Sequence, residues 1–308
     1  MTCRIVFMGS PEFATTTLRA LYEHFEIIQV FSQADKPTGR GKAITSTPVK
    51  RVSQQLGLPC CEPENLRDPG ILDMLKELEP DAIVVVAYGK FLPESILELP
   101  RTGCLNLHAS LLPRHRGPSP ISASILSGDD ETGLTVMLMD LGMDTGAILS
   151  QRKIPIGERD STGDLHDKLM ELGASLMVET LSKLMNNAIK PVPQDDSKAT
   201  YCRLLRKSDG LLDWNLDAKQ LDRIVRAMNP WPGAFFLMGH EPVKVWSGIA
   251  SEGQAEPGMI TGVTPDGIEI GTGNGLFRLE EVQAPSKKRI SSSDFARGKR
   301  LKEGTYLI

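Results

Sequence analysis

Arg4-Ile5-Val6-Phe7-Met8, then Gly9-Ser10-Pro11-Glu12, then a helical pattern to about His24, then Glu26-Ile27-Ile28-Gln29-Val30-Phe31 open the chain. The two apolar runs read as buried strands, and the stretch between them reads as a helix. Ser10 is placed to cap it, with Pro11 at the first helical position and Glu12 in the first turn. Strand, helix, strand at this spacing is a βαβ unit, so the opening predicts a parallel α/β sheet. Working outward, Ala82–Ala87 is a continuous apolar run, as expected of a strand covered on both faces. Tyr88-Gly89-Lys90-Phe91-Leu92-Pro93 follows at its carboxyl end, and Cys104–His108 supplies the next strand. Ligands of open parallel sheets bind outside the carboxyl ends of the strands, so Tyr88–Pro93 and Ala109–Gly117 are expected to rim one crevice.

Further elements follow from periodicity and turn signals. Helices are predicted over Pro48–Leu56 with Gly57 behind it, Pro69–Leu78, Pro118–Leu126 and Thr162–Met185, and strands over Leu58–Cys61, Leu134–Met139 and Ala147–Gln151. Ser32–Thr47 is polar, basic and long for a connection inside an α/β unit, as functional or mobile loops commonly are, and Gln33–Thr47 is expected to be poorly ordered in the free protein. Composition shifts near Lys190-Pro191-Val192-Pro193-Gln194-Asp195-Asp196-Ser197, which reads as a linker. Beyond it lie a helix over Leu216–Met228 and a helix stop at Asn229-Pro230-Trp231-Pro232-Gly233, expected to pack on Trp231. Five short strands then follow: Phe235–Leu237, Val243–Trp246, Gly258–Val263, Gly267–Ile270 and Leu276–Val282. That count and spacing suggest a small OB-like β-barrel. The expected organisation is a catalytic domain at 1–189, a linker at 190–208 and a C-terminal domain at 209–308.

The 308 residues, 40% hydrophobic and 24% charged, are those of an ordinary globular protein of two domains. No secretory leader pattern and no apolar run of membrane-spanning length is present, and the five cysteines show no CxxC spacing, so a cytoplasmic protein with reduced thiols is expected. The net charge of −4 is unevenly spread. Lys287, Lys288, Arg289, Arg297, Lys299, Arg300 and Lys302 face one acid, Asp294, and Lys36, Arg40, Lys42, Lys50 and Arg51 face none in the run 36–51. Local patches of this kind can engage a phosphate backbone, although solvated polar surface gives the same pattern. Gly9-Ser10-Pro11 does not supply the G-x-G-x-x-G of a dinucleotide site, and Gly41-Lys42-Ala43 lacks the spacing and hydroxyl of a P-loop.

Three residues carry the candidate chemistry. Asn106 and His108 share one face of a strand because side chains alternate with period two, and Asp144 sits in a Gly-rich turn, Gly142-Met143-Asp144-Thr145-Gly146. Such a set suits attack of an amine on an acyl carbon. Asn106 can donate to developing oxyanion charge, an interaction worth roughly 3–4 kcal/mol in the transition state. His108, oriented or kept charged by Asp144, can stabilise the same charge, and either group can take the amine proton. A strand-end histidine and two turn residues without catalytic duty would give the same bare pattern.

Asn106-Leu107-His108-Ala109-Ser110-Leu111-Leu112-Pro113, with Arg116-Gly117, Pro120-Ile121 and Asp144-Thr145-Gly146, resembles the formyltransferase family that uses 10-formyltetrahydrofolate. Gly9-Ser10-Pro11-Glu12-Phe13-Ala14, Asp35-Lys36-Pro37-Thr38-Gly39-Arg40-Gly41-Lys42, Asn229-Pro230-Trp231-Pro232 and Val243-Lys244-Val245-Trp246 extend the resemblance over nearly the whole chain. It implies a Rossmann-like N-terminal formyltransferase domain with a mostly parallel sheet and a smaller C-terminal barrel domain. It also implies that Asn106, His108 and Asp144 are catalytic, with Asn106 and His108 polarising the formyl carbonyl. Ser110, Leu111, Leu112 and Pro113 match the folate-binding loop, with Tyr88, Gly89, Phe91 and Leu92 beside the pterin. The donor is then 10-formyltetrahydrofolate, and no metal is required.

The basic segment separates acceptors. A Gly-Arg-Gly-Lys loop is similar to that of members acting on initiator methionyl-tRNA, which implies that Arg40 and Lys42 contact phosphates and base edges. Lys287, Lys288 and Arg289 would then contribute a tRNA backbone platform, and the enzyme would act as a monomer away from any membrane. The alternatives are a family member acting on a sugar nucleotide or another small amine, a non-catalytic RNA-binding module, and a nicotinamide oxidoreductase disfavoured by the missing glycine fingerprint. His115 between Arg114 and Arg116, Pro118-Ser119, and Met143 before Asp144 depart from the family pattern. A titratable His115 side chain near the crevice is expected to influence pH dependence.

Overall fold

The structure, a computed structural model, describes residues 3–38 and 43–307. Arg40 and Lys42 lie outside the described residues. The first sheet is built from β1 (Arg4–Gly9), β2 (Glu26–Phe31), β5 (Cys60–Cys61), β6 (Ala82–Val86), β7 (Cys104–His108), β8 (Glu131–Leu138) and β9 (Ile148–Pro155); β3 (Lys36–Thr38) and β4 (Ala43–Thr45) stand apart as a two-stranded ladder. Strand order is β5-β2-β1-β6-β7-β8-β9. The pairs from β5 to β7 are parallel, and β7 with β8 is antiparallel, so the sheet is mostly parallel as expected. Every residue of β6 is buried, which matches its β-branched sequence Ala-Ile-Val-Val-Val.

Strand order fixes where a site can form. The chain leaves β1 towards β2 on one side and returns to β6 on the other, so the switch point lies between the carboxyl ends of β1 and β6. Those ends are Gly9-Ser10 and Ala87–Gly89. Ser10 does not cap the helix that follows β1. The helical stretch starts as a 3-10 turn at Glu12–Ala14, followed by α1 (Thr15–His24), and Pro11 stands at the turn's N-cap position without a side-chain cap. The Ser10 hydroxyl instead accepts from the Gln33 N–H at 3.1 Å and donates to the Tyr88 carbonyl at 3.5 Å. Strands diverge at a switch point, so backbone groups there lack ladder partners and a short polar side chain bridges them.

The helices are α2 (Pro48–Gln55), α3 (Pro69–Leu78), α4 (Glu94–Leu97), α5 (Pro120–Ser127), α6 (Thr162–Met185), α7 (Ala218–Ala227) and α8 (Ser292–Lys299). Thr47 caps α2 by accepting from the Lys50 N–H at 3.2 Å, with Pro48 at the first helical position. The segment read as a long loop, Ser32–Thr47, carries the antiparallel β3–β4 ladder, in which Lys36 pairs with Thr45 and Thr38 with Ala43. Its base is tied down by Lys50, whose ammonium lies 2.9 Å from Asp35 and 2.5 Å from Glu62.

By internal contacts the chain forms two compact units, Met1–Pro120 with Glu131–Ile154 and His166–Cys202, and Ile121–Asp130 with Pro155–Leu165 and Arg203–Ile308. The second unit holds β10 (Ala234–Met238), β11 (Glu241–Ser251), β12 (Ile260–Thr264), β13 (Gly267–Gly271), β14 (Leu276–Gln283) and β15 (Ile290–Ser291). They form an antiparallel sheet of order β10-β11-β14-β13-β12, with β15 added beside β14. The five expected strands are all there. β15 and the α8 it leads into escaped the sequence reading because the ladder is two residues long and the helix lies inside a basic run. α7 carries a capping box from Asp217 and Gln220 and buries Leu221 and Val225. It stops where expected, but Trp231 is 54% exposed, so the stop does not pack on its indole, whereas Met228 just before it is buried.

Among the described residues all five cysteines are free, and no helix is long and apolar enough to cross a membrane.

Candidate active site

Asn106, His108, Asp144 and the residues around them described below belong to the first unit. β7 carries Asn106 and His108 on one face, paired across to Met137 and Thr135 of β8. His108 is buried. Its Nε2 lies 3.0 Å from the His115 carbonyl, and a carbonyl only accepts, so Nε2 bears the proton. Nδ1 is thereby left facing Asp144, whose Oδ2 is 3.6 Å away. That separation is longer than a formed hydrogen bond, a spacing common in unliganded sites. The Asn106 amide is partly exposed and makes no hydrogen bond among the described residues, which leaves a donor on the same strand face.

Asp144 adopts a left-handed backbone at φ 56°, and its Oδ2 also accepts the Gly117 N–H at 2.8 Å. Within the turn, Asp140 accepts from the Gly142 N–H at 3.0 Å and from the Thr145 hydroxyl at 2.6 Å. Gly146 is the tight point: a Cβ there would lie 1.6 Å from the Leu138 carbonyl oxygen. Gly146→Ala is therefore expected to destabilise by about 1–3 kcal/mol and to displace the Asp144 turn. Thermal unfolding measured beside formyl-transfer kcat tests this, and an unchanged pair of values would contradict it.

His115, a departure from the family pattern, contributes backbone where the sequence reading looked to its imidazole. It is buried, sits at φ 57°, and its N–H donates to the Thr200 hydroxyl at 2.8 Å while its carbonyl holds His108. Cys202 adjoins the site, accepting from the Ser119 N–H at 3.4 Å and donating to the His115 carbonyl at 3.6 Å. Burial pushes its thiol above the ordinary range, so it is held as a neutral donor and is a poor nucleophile.

Ser110, Leu111, Leu112 and Pro113 form a braced loop. The Ser110 hydroxyl is fully buried and spent on the Arg114 carbonyl at 2.6 Å. Thr135 donates to the Ser110 carbonyl at 2.7 Å and accepts from the Leu112 N–H at 3.1 Å, while Gln151 donates to the Leu112 carbonyl at 2.8 Å. Neither Thr135 nor Gln151 was singled out by the sequence; polar residues alternating on apolar strands are the signal that marks them.

Of Tyr88–Leu92, only part faces outward. The Tyr88 ring is in the hydrophobic core, and its carbonyl accepts from Gln33 Nε2 at 2.8 Å. Leu92 is buried in the same core, whereas Gly89 is exposed and Phe91 is 73% exposed. A ligand at this rim would meet Gly89 and Phe91, while the Tyr88 carbonyl is engaged by Ser10 and Gln33. Lys287, Lys288 and Arg289 belong to the second unit and are exposed; Arg289 pairs with Glu281 and lies 5.2 Å from the Trp246 ring centroid. Among the described residues no group of three or more His, Cys, Asp or Glu could hold a metal ion.

Residues 3–181 match the family model described as formyl transferase, and residues 204–300 match the formyl transferase C-terminal domain. The fold and this match define a formyl transferase. The methionyl-tRNA formyltransferase of Citrifermentans bemidjiense is 43% identical over 305 residues, covering 99% of this chain and 96% of that protein. That of Chromobacterium violaceum is 45% identical over 306 residues, covering 99% of both. The chain belongs to the methionyl-tRNA formyltransferase family. Among solved structures, the Helicobacter canadensis N-formyltransferase, complexed with folinic acid and dTDP-3-aminofucose, superposes with a TM-score of 0.69 at 17% identity, covering 92% of this chain and 100% of that one. HypX from Aquifex aeolicus in complex with tetrahydrofolic acid superposes at 0.62 and 17% identity, covering 96% of this chain and 47% of that one. At such identities these two share the fold.

Proposed function

We propose that this enzyme transfers the formyl group of 10-formyltetrahydrofolate to the α-amino group of methionine on charged initiator tRNA. The observation that carries the reading is the pairing of buried His108 with Asp144 beside an unengaged amide, Asn106. The methionine nitrogen forms a bond to the formyl carbon, the carbonyl electrons move onto oxygen, and the Asn106 amide donates to that oxygen. Because Nε2 is committed to the His115 carbonyl, Nδ1 is the nitrogen that can exchange a proton, and it faces Asp144. The amine proton passes to this pair, directly or through a water. The bond to N10 then breaks, N10 takes a proton, and the carbonyl reforms. With His108 charged, the imidazolium stabilises the oxyanion through the low-dielectric site.

The donor lies against Ser110–Pro113 and the Gly89–Phe91 rim, where an apolar slot with main-chain donors and acceptors suits a flat, amide-edged pterin. No metal takes part in this reading. Arg40 and Lys42 read the acceptor end, and Lys287, Lys288 and Arg289 bind tRNA phosphates, supplying affinity more than specificity. The enzyme acts as a monomer in the cytoplasm.

The test compares charged initiator tRNA with a small amine such as a dTDP-amino sugar. Formylation of the tRNA is expected, and the double substitution Arg40→Ala with Lys42→Ala is expected to lower it about 10- to 100-fold through lost phosphate contacts. A wild-type enzyme that formylates the amino sugar and leaves methionyl-tRNA untouched would overturn the acceptor.

A further inference from the structure

We propose that Gln194, held by the buried Arg116 guanidinium, is a positioning residue that locks the Asp144 turn into its catalytic geometry. The inference rests on the reading of Asp144 given above. Gln194 lies in the segment whose composition suggested a linker. Its Nε2 donates to the Asp144 carbonyl at 2.9 Å and to the Gly146 carbonyl at 2.7 Å. Its Oε1 accepts from Arg116 Nε at 3.0 Å and Nη2 at 2.8 Å. The chemistry fixes this orientation. A guanidinium offers only donors and two carbonyls offer only acceptors, so the amide has one satisfied orientation and its flip is not free.

Arg116 is in turn held in place. It is 1% exposed, and its Nη2 lies 2.7 Å from Asp196 and its Nη1 3.3 Å from the Tyr201 hydroxyl. Its backbone bonds to the same segment, donating to the Thr200 carbonyl at 2.9 Å and accepting from the Cys202 N–H at 2.8 Å. Val192 pairs with Ile148 just beyond the turn. Residues 192–202 therefore fasten both partners of the pair. Thr200 fixes His115, whose carbonyl holds His108, and Gln194 fixes the backbone that carries Asp144. A left-handed non-glycine residue between glycines costs of order 1–3 kcal/mol to maintain and persists only where its surroundings over-determine it. Two hydrogen bonds, to the carbonyls of Asp144 itself and of Gly146, supply that restraint.

Gln194→Glu isolates the lock. The carboxylate keeps an acceptor for Arg116, so the buried cation stays compensated, but it presents no donor to the two carbonyls. The variant is expected to fold, with unfolding temperature within roughly 3 °C of wild type. Its kcat for formylation is expected to fall about 100-fold, the scale of an ångström-sized misplacement, with KM for folate donor and tRNA within about twofold. Gln194→His, which can accept from Arg116 and donate to one carbonyl, is expected to recover part of the loss. Should Gln194→Glu fail to fold, Arg116→Lys keeps a buried cation beside Asp196 but loses the fork on Gln194, and the same split between kcat and KM is expected about 10-fold weaker. Wild-type kcat in a folded variant, or a loss carried by KM, would overturn the lock. Asp144→Asn separates the two readings. If it retains full activity, the role of Asp144 fails; if it is slow while Gln194→Glu is normal, only the lock fails.

Discussion

Asp144→Asn is expected to lower kcat for formylation about 1,000-fold, with KM for both substrates changed little and the fold intact. The reason lies in what the substitution keeps. Asparagine can still accept the Gly117 N–H that Asp144 accepts at 2.8 Å, and the backbone carbonyl held by Gln194 is untouched. What disappears is the negative charge 3.6 Å from His108 Nδ1. With Nε2 donating to the His115 carbonyl, Nδ1 is the nitrogen that faces Asp144, so in the proposed mechanism the amide removes the anionic half of the proton-accepting pair. Proton transfer by a positioned group contributes about 100- to 10,000-fold, and the expected loss sits inside that range. Single-turnover formylation of charged tRNA with saturating donor measures it free of product release. Activity within tenfold of wild type would leave the carboxylate without a chemical duty.

The second large effect concerns Asn106. In the proposed mechanism Asn106→Ala removes the donor to the oxyanion, and a loss of about 100- to 1,000-fold is expected. Asn106→Asp is nearly the same size, yet it replaces a donor with an anion where negative charge develops. It is therefore expected to be slower than the alanine variant despite the closer shape. A purely structural Asn106 predicts the opposite order, because its shape would then matter more than its donor. The strand supports such a comparison. Asn106 is partly exposed and pairs through its backbone with Met137 and Val85, so neither variant strips a side-chain hydrogen bond from the fold.

The elements assigned to tRNA in the proposed reading follow a different logic. Arg40 and Lys42 lie outside the described residues, but the β3–β4 ladder that leads to them is anchored by Lys50 through Asp35 and Glu62. In the second unit, Trp246 has Lys244 Nζ at 5.6 Å and the Arg289 guanidinium at 5.2 Å from its ring centroid, an arrangement that keeps cations beside an aromatic face. Since Arg289 also pairs with Glu281, part of its charge is satisfied within the protein, and Lys287 and Lys288 are the freer contributors to phosphate affinity in the proposed reading.

The sequence by itself determined most of the elements and the fold class. Apolar runs of strand length, the α6 pattern over Thr162–Met185 and the five C-terminal strands are all encoded by neighbours in the chain, through periodicity and turn chemistry. It also singled out Asn106, His108 and Asp144, because a two-residue spacing on a strand and a carboxylate in a Gly-rich turn are visible without coordinates. Only the tertiary structure decided how these residues are held. Ser10 read as a helix cap and became a bridge to Tyr88 and Gln33; Tyr88 read as a wall of the crevice and placed its ring in the core. His115 entered through its imidazole in the sequence and through its carbonyl in the fold. Gln194, part of an apparent linker, reaches Asp144 across fifty positions, and Arg116 reaches Gln194 across seventy-eight. The physical reason is the same in each case. Helix and strand signals are local free-energy preferences, whereas the partner of a buried polar group is set by which segments the packed core brings within 3 Å, and no local pattern carries that information.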